Sequence, residues 1–411
     1  MRIIDFFDKG ANLYPGNTAF LDSTGQCSYQ EANRQTHLIA SALHSRNFCK
    51  GTHVGILAPN SNLAFLVLLG VFRAGGIWLP INPRNSIRIN ADLLDRLDGE
   101  LLLFHSDYEA EVKNMVSRVP SLALAVCIDG KSEFGESLSE WTRHADPYFP
   151  SVEHSLGDTL SIFPTGSATA PSKDVVVTHR NIATVFANFY AHFHYYDDTR
   201  HLIVAPMSHS TGVLGCLHFA RGGSNIIMDT VDPGGIFRAI QTYHITHLLV
   251  PPQLLYMMLA HPEVTLYDYS SLQHFTIGAA QPSFEKLKQA IEVFGPVMTE
   301  CYGQPEAPSI VTAKAPWDYL DDQGKVIESR LKTMGRPAVF NQVAIMGSDG
   351  DVLDVGKAGE IVLFGDLVTP GYCRNSAGTS EVRKSGWYHT GDIGVMDGEG
   401  FITAVDRKKD M

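Results

Sequence analysis

Long apolar runs, paired cysteines and an excess of basic charge are all missing from this 411-residue sequence, and each absence excludes a class of function. No run approaches the ~18 apolar residues of a membrane-spanning helix. The N-terminal MRIIDFFDKGANLYPG has too short an apolar stretch, and the wrong flanks, for a secretory signal. Cys27, Cys49, Cys127, Cys216, Cys301 and Cys373 form no C-x-x-C pair. They read as reduced, mostly buried thiols, as expected in the cytoplasm. A net charge of -12 argues against nucleic acid or an anionic membrane as the main partner. The 17 histidines include no H-E-x-x-H or other metal spacing. Internal repeats and low-complexity linkers are missing as well.

What is present is globular: 44% hydrophobic and 18% charged residues, in a length that suits two or three domains. Ser28-Tyr29-Gln30-Glu31 fits a capping box opening a helix. Strand His53–Leu57, a helix from Asn60-Ser61 to Gly75-Gly76 and strand Ile77-Trp78-Leu79 make a strand–helix–strand unit, hence a parallel sheet. Buried strands follow at 101–104 and 124–128, then a polar surface connection over 130–157. Helices at 181–194, 212–221, 235–243 and 252–260 alternate with strands at 202–204, 225–228, 247–250 and 275–277. That is a second doubly wound unit. Beyond about 310, strands at 343–346 and 359–364 and a hairpin around 396–400 predict a small β-rich part.

Ser161–Asn181 reads SIFPTGSATAPSKDVVVTHRN. A loop of hydroxyl-bearing and small residues, closed by Lys173, precedes the β-branched strand Val175–Val177. Such a loop suits phosphate, since backbone N–H groups and hydroxyls face the anion and the lysine adds charge. It is not a Walker loop, because G-x-x-x-x-G-K followed by Ser or Thr is absent. A plain polar loop between two strands has the same composition. Further polar and small-residue clusters follow predicted strands, where open α/β sheets bind ligands. They are Pro206-Met207-Ser208-His209-Ser210-Thr211-Gly212, Gly278-Ala279-Ala280 and Cys301-Tyr302-Gly303-Gln304-Pro305-Glu306. Tyr388-His389-Thr390-Gly391-Asp392 lies in the β-rich part.

In this order, the motifs resemble those of the adenylate-forming superfamily: acyl- and aryl-CoA synthetases, luciferases and peptide-synthetase adenylation domains. The resemblance covers nearly the whole chain. It includes Arg73-Ala74-Gly75-Gly76 through Pro80-Ile81-Asn82-Pro83, and is best at Tyr388–Asp392, with Gly359-Glu360-Ile361 upstream and Asp406–Asp410 downstream. It implies an α/β fold of two stacked doubly wound subdomains (1–160 and 161–310) plus a smaller β-rich, distorted-barrel subdomain (311–405). A hinge at 406–411, around Lys409, would lead to a small C-terminal domain carrying a catalytic lysine, so the chain is expected to be a large N-terminal domain.

The resemblance also implies roles. ATP or AMP would be held by Thr165, Gly166, Ser167, Thr169, Lys173, Ala280, Tyr302, Gly303, Asp392 and Arg407. Within that set, Asp392 and Arg407 would take the ribose and Tyr302 would stack on adenine. Glu306 would bind Mg2+, and with Lys173 and Thr165 would serve catalysis. His209, Gly212, Gly278 and Ala279 would line the site for the carboxylic acid, an aromatic or medium-sized hydrophobic one. Coenzyme A would be the co-substrate of an acid–CoA ligase.

The sequence departs from the family pattern where phosphate is handled. The loop's second glycine, its proline and its last glycine are replaced by Ala170, Ser172 and Asp174, and Pro305 stands where the pattern has threonine. A Cβ restricts the backbone's approach, Asp174 opposes a polyanion unless it points away, and proline has neither hydroxyl nor N–H. The adenosine-holding residues remain. Three readings follow: an ATP-using ligase, a ligase acting only on pre-made acyl-adenylate, and a non-catalytic nucleotide or acyl-adenylate binder.

Overall fold

The structure, a computed structural model, describes residues 1–165, 173–193, 195–196 and 198–407, excepting the side chains of Ser210 and Arg407. Gly166, Ser167, Thr169, Lys409 and the Arg407 side chain therefore lie outside the described residues.

In chain order, α1 (Ile3–Leu13) leads into the hairpin β1 (Thr18–Asp22) and β2 (Gly25–Ser28), then α2 (Tyr29–Ser45). Ser28 caps α2 as expected, its hydroxyl accepting from Glu31 N. The Glu31 carboxylate does not complete the box, because it pairs with Arg34 and Gln35. Next come β3 (His53–Leu57), α3 (Asn62–Ala74), β4 (Ile77–Pro80), α4 (Ile87–Arg96), β5 (Leu101–Phe104), α5 (Glu109–Val116) and β6 (Leu124–Cys127). Helix α3 is buried at every residue but Leu63 and apolar all round, as a helix enclosed by its surroundings must be. The stretch read as a polar connection holds two short elements, β7 (Glu136–Ser137) and α6 (Leu138–Thr142).

The hairpin β8 (Thr159–Pro164) and β9 (Asp174–Thr178) flanks the phosphate-type loop, and α7 (His179–His192) follows. Then come β10 (Arg200–Ile203), α8 (Ser210–Leu214), β11 (Ser224–Ile227), α9 (Pro233–Tyr243), β12 (His247–Val250), α10 (Pro252–Ala260), β13 (His274–Ile277) and α11 (Phe284–Phe294). The helix expected over 212–221 is α8 continued by a 3-10 stretch, Gly215–Arg221. The remainder is β14 (Met298–Gln304), β15 (Ala307–Lys314), β16 (Arg336–Pro337), β17 (Gln342–Met346), β18 (Ala358–Phe364), α12 (Ser376–Val382), β19 (Arg383–Lys384), β20 (Trp387–Met396) and β21 (Ile402–Arg407).

The chain forms two compact units, Met1–His179 with Tyr196–Thr230, and Arg180–Tyr195 with Val231–Met411. In the first, the sheet β7-β6-β5-β3-β4-β8-β9 is parallel except for the β8–β9 hairpin. The run β10-β11-β1 is also parallel, with β2 antiparallel on β1. Phe7, Phe20, Tyr29, Phe65 and Phe219 interlock edge-on and tilted beside this run. In the second unit, β12-β13-β14 is parallel and continues antiparallel through β15 and β16. A five-stranded antiparallel sheet joins β17, β18 and β20, with β19 and β21 on β20. The fold is thus the mixed α/β arrangement with a β-rich part that the sequence predicts.

Strand pairing crosses the linear boundaries expected from the sequence. Residue 160 falls within β8, which its hairpin partner β9 keeps on one sheet, and residue 310 falls within β15. Among the described residues no helix is long and apolar enough to cross a membrane.

Candidate active site

In the second unit, Asp392 on β20 and Tyr302 with Gln304 on β14 meet at one carboxylate oxygen. The Tyr302 hydroxyl donates to Asp392 Oδ2 at 2.6 Å and the Gln304 amide donates to the same oxygen at 2.7 Å. Asp392 is buried, with 9% of its surface exposed. A buried carboxylate is costly without such donors. The amide's orientation is set from the other side, where Tyr388 donates to Gln304 Oε1 at 3.0 Å. Burial, reinforced by the nearby Glu306 carboxylate, pushes the Tyr388 hydroxyl's pKa well up, so it stays a donor.

The strand that presents Asp392 is pinned by Glu360 on β18, which accepts from Gly391 N at 3.1 Å and hydrogen-bonds His389 Nδ1 at 2.9 Å. Thr390 Oγ1 accepts from Asp392 N at 3.0 Å. Across the β20–β21 ladder the partner of Asp392 is Arg407, by backbone register. A held carboxylate of this kind is an acceptor for vicinal hydroxyls.

Glu306 sits at the turn between β14 and β15. Instead of a solvated surface acid it is a buried one, with 9% exposed. Its Oε1 accepts from the Tyr372 hydroxyl at 2.7 Å, and its carbonyl accepts from Thr369 N at 2.7 Å. Burial, and then Glu306 itself, raise the Tyr372 hydroxyl's pKa, which keeps it the donor. Among the described residues no group of three or more His, Cys, Asp and Glu could hold a metal alone. One carboxylate fits Mg2+ only as a partial ligand set, completed by phosphate oxygens and water.

Gly278, Ala279 and Ala280 follow β13, whose Ile277 pairs with Glu300 on β14, so they lie beside the strand that carries Tyr302. Ala279 and Ala280 are exposed and Ala279 has φ +71°, a left-handed conformation uncommon for alanine. Gly303 stands at the β14–β15 register shift, where an added Cβ would lie 2.7 Å from Ser309 N. Packing alone explains that glycine.

In the first unit, Thr165 and Lys173 are brought together at the loop's stem. Thr165 N donates to Lys173 O at 2.8 Å, and Lys173 N donates to Thr165 Oγ1 at 2.9 Å. Two residues earlier, the Phe163 ring meets His209 edge-on at 6.4 Å and Trp78 at 5.4 Å. His209 is exposed and precedes α8. A Cβ at Gly212 would lie 2.2 Å from Met207 O, so this glycine too has a packing reason. Asn60 staples the turn before His209, donating to Ala205 O at 3.0 Å and accepting from Met207 N at 2.8 Å.

Sequence reasoning did not single out Gln304, Tyr372, Asn60 or Arg96. Gln304 was open to it, since it lies inside the stretch Cys301–Glu306 that carries Tyr302 and Glu306. Arg96 and Asn60 were not, because their partners are distant in the chain.

The chain matches the family described as "AMP-binding enzyme" over residues 7–373. It is 35% identical over 401 residues to a medium/long-chain-fatty-acid–CoA ligase of Mycobacterium tuberculosis, covering 95% of this chain and 68% of that protein. It is 28% identical over 406 residues to a feruloyl-CoA synthase of an Amycolatopsis species, covering 98% and 78%. In fold it is similar to the amide bond synthetase McbA of Marinactinospora thermotolerans, with a TM-score of 0.90, 24% identity, and coverage of 99% of this chain and 79% of that one. The motif order, the fold and the extent of these matches together show that the chain belongs to the AMP-binding enzyme family, the adenylate-forming enzymes.

Proposed function

We propose that the chain serves an ATP-dependent, AMP-forming carboxylate–CoA ligase. A carboxylate oxygen attacks the α-phosphorus of ATP, the bond to pyrophosphate breaks, and acyl-AMP forms. The thiol sulfur of coenzyme A then attacks the acyl carbon, its proton is released, and AMP leaves. The observation that carries this reading is the buried Asp392 carboxylate, oriented by Tyr302 and Gln304, which suits a ribose diol.

Tyr302 and the Gly278–Ala280 turn would flank the base, and Lys173 with Thr165 would meet the phosphates. His209, Gly212, Gly278 and Ala279 would face the acid. Glu306 would hold Mg2+, whose chemistry there is neutralisation of phosphate charge. Much of the catalysis is then positioning of two reactants and charge stabilisation. Relatives named for fatty acids and for ferulate support a hydrophobic aliphatic or aromatic acid. Six free thiols support a reducing, cytoplasmic setting.

A second reading keeps the thioester half-reaction on a pre-made acyl-adenylate. Pro305 favours it, an exposed turn residue that offers no hydroxyl to phosphate. Carboxylate-dependent ATP–pyrophosphate exchange over aromatic and aliphatic acids, run beside thermal shift with a non-hydrolysable acyl-AMP analogue, separates the readings. Exchange with one acid class establishes adenylation. Stabilisation by the analogue without exchange leaves the half-reaction, or the non-catalytic binder if no thioester forms from acyl-AMP.

A further inference from the structure

Asp174 opens β9 directly after Lys173, at the exit of the loop. It stands where the family pattern has glycine, and 8% of its side chain is exposed. A buried carboxylate next to a polyphosphate site is unfavourable twice over: it is desolvated, and it repels the ligand.

The structure shows what answers this charge. Arg96, the last residue of α4, donates from Nε to Asp174 Oδ2 at 2.6 Å and from Nη2 to Oδ1 at 2.8 Å. Such a fork is the strong, geometrically specific form of the ion pair. Nη1 donates to Asp92 O at 3.4 Å, tying the guanidinium back to its own helix. Asp174 also pairs in register with Pro164, one residue outside the Thr165–Lys173 contacts. The fork therefore anchors the loop's exit strand to a helix 78 residues away in sequence.

We propose that Arg96 acts on phosphate binding by charge compensation: its fork cancels the Asp174 charge, so that a chain with an acid in place of glycine still accepts polyphosphate. The inference rests on the reading of the chain as an ATP-using ligase.

Titration calorimetry of ATP and of adenosine, on the unaltered protein and on Arg96→Ala, Asp174→Asn and the double variant, tests it. Arg96→Ala should weaken ATP about tenfold, as one uncompensated charge near the site does, while adenosine changes by less than about twofold. Adding Asp174→Asn should restore ATP to within about twofold of the parent. Equal losses for ATP and adenosine, or a double variant as weak as Arg96→Ala, overturn the proposal and leave a merely structural pair.

If Arg96→Ala does not fold, Asp174→Asn alone decides. The proposal requires ATP binding no weaker than the parent's, and weakened ATP binding with intact adenosine binding overturns it. A parent that binds an acyl-AMP analogue but no ATP overturns the ATP-using reading itself and this inference with it, an outcome visible before any variant is made.

Discussion

The hydroxyl of Tyr302 donates to Oδ2 of Asp392 at 2.6 Å, so the acceptor expected to take ribose is already held by the ring expected to flank the base. Asp392→Asn turns one acceptor oxygen into a donor and sets it against Tyr302 or Gln304. Hydrogen bonds to a charged group contribute about 1.5–3 kcal/mol each, so AMP binding should weaken about 10- to 100-fold. Tyr302→Phe keeps the ring and the Gln304 contact and should lose less than about tenfold. Calorimetry with AMP measures both, and parent-like binding by Asp392→Asn would remove the ribose assignment.

Gln304 links the Tyr388 hydroxyl to the Asp392 carboxylate. Its carbonyl accepts from Tyr388 and its amide donates to Asp392. Gln304→Leu leaves the Tyr388 hydroxyl, on a residue only 3% exposed, without that acceptor. The expected cost is about 1–3 kcal/mol of stability, read by denaturant unfolding, together with weaker AMP binding. Intact AMP affinity in Gln304→Leu would show that Asp392 needs no orienting partner.

Tyr372 and Glu306 give a metal-dependence test. Tyr372→Phe removes the hydroxyl that fixes Glu306 Oε1 and leaves the carboxylate in place. Half-saturation by Mg2+ in ATP–pyrophosphate exchange should rise about 10-fold or more, the usual effect of losing one orienting partner around a metal ligand. Binding of an acyl-AMP analogue without metal should not change. Glu306→Gln should lose most metal-dependent exchange, and chelation of Mg2+ should do the same to the parent. A Tyr372→Phe variant with the parent's Mg2+ curve counts against Glu306 as the ligand.

Contiguous motifs were legible in the sequence, and distant pairs were not. Tyr388–Asp392 could be read because five adjacent residues carry the pattern, and β20 holds them in one ladder with Glu360. The β-branched and leucine runs of β3, β5 and β9 announced buried strands. Helix α4 escaped notice because its polar sequence buries only Asn90, Ala91, Leu93 and Leu94, too narrow a stripe beside the Asn82–Ser86 turn. Arg96 was lost with it, since nothing in the chain links it to Asp174. Glycines carry two readings at once. Gly212 and Gly303 read as ligand positions, and the backbone of Met207 and of Ser309 also excludes a Cβ there. Close approach of backbone and close approach of ligand ask for the same residue.

His179, which opens α7, predicts how stability responds to acid. It is 3% exposed, its ring meets His154 edge-on at 5.4 Å, and its Nδ1 has no hydrogen-bond partner among the described residues. Burial, followed by His154 and Arg2, lowers its pKa from 6.5 to about 4, against the opposing pull of Asp158 and Asp5. The folded protein therefore binds this proton more weakly than the unfolded chain. The contribution to stability is full above pH 6.5 and is lost as pH falls from there towards 4. One group with this shift loses about 2 kcal/mol by pH 5. His201 is lowered to about 4 as well, chiefly by burial, and adds to the same slope. His179→Gln should be less stable than the parent at pH 7.5, and its unfolding free energy should fall less steeply between pH 6.5 and 4.5. Denaturant melts across that range measure the two slopes, and parallel curves for parent and variant would mean that His179 takes up its proton without opening the fold.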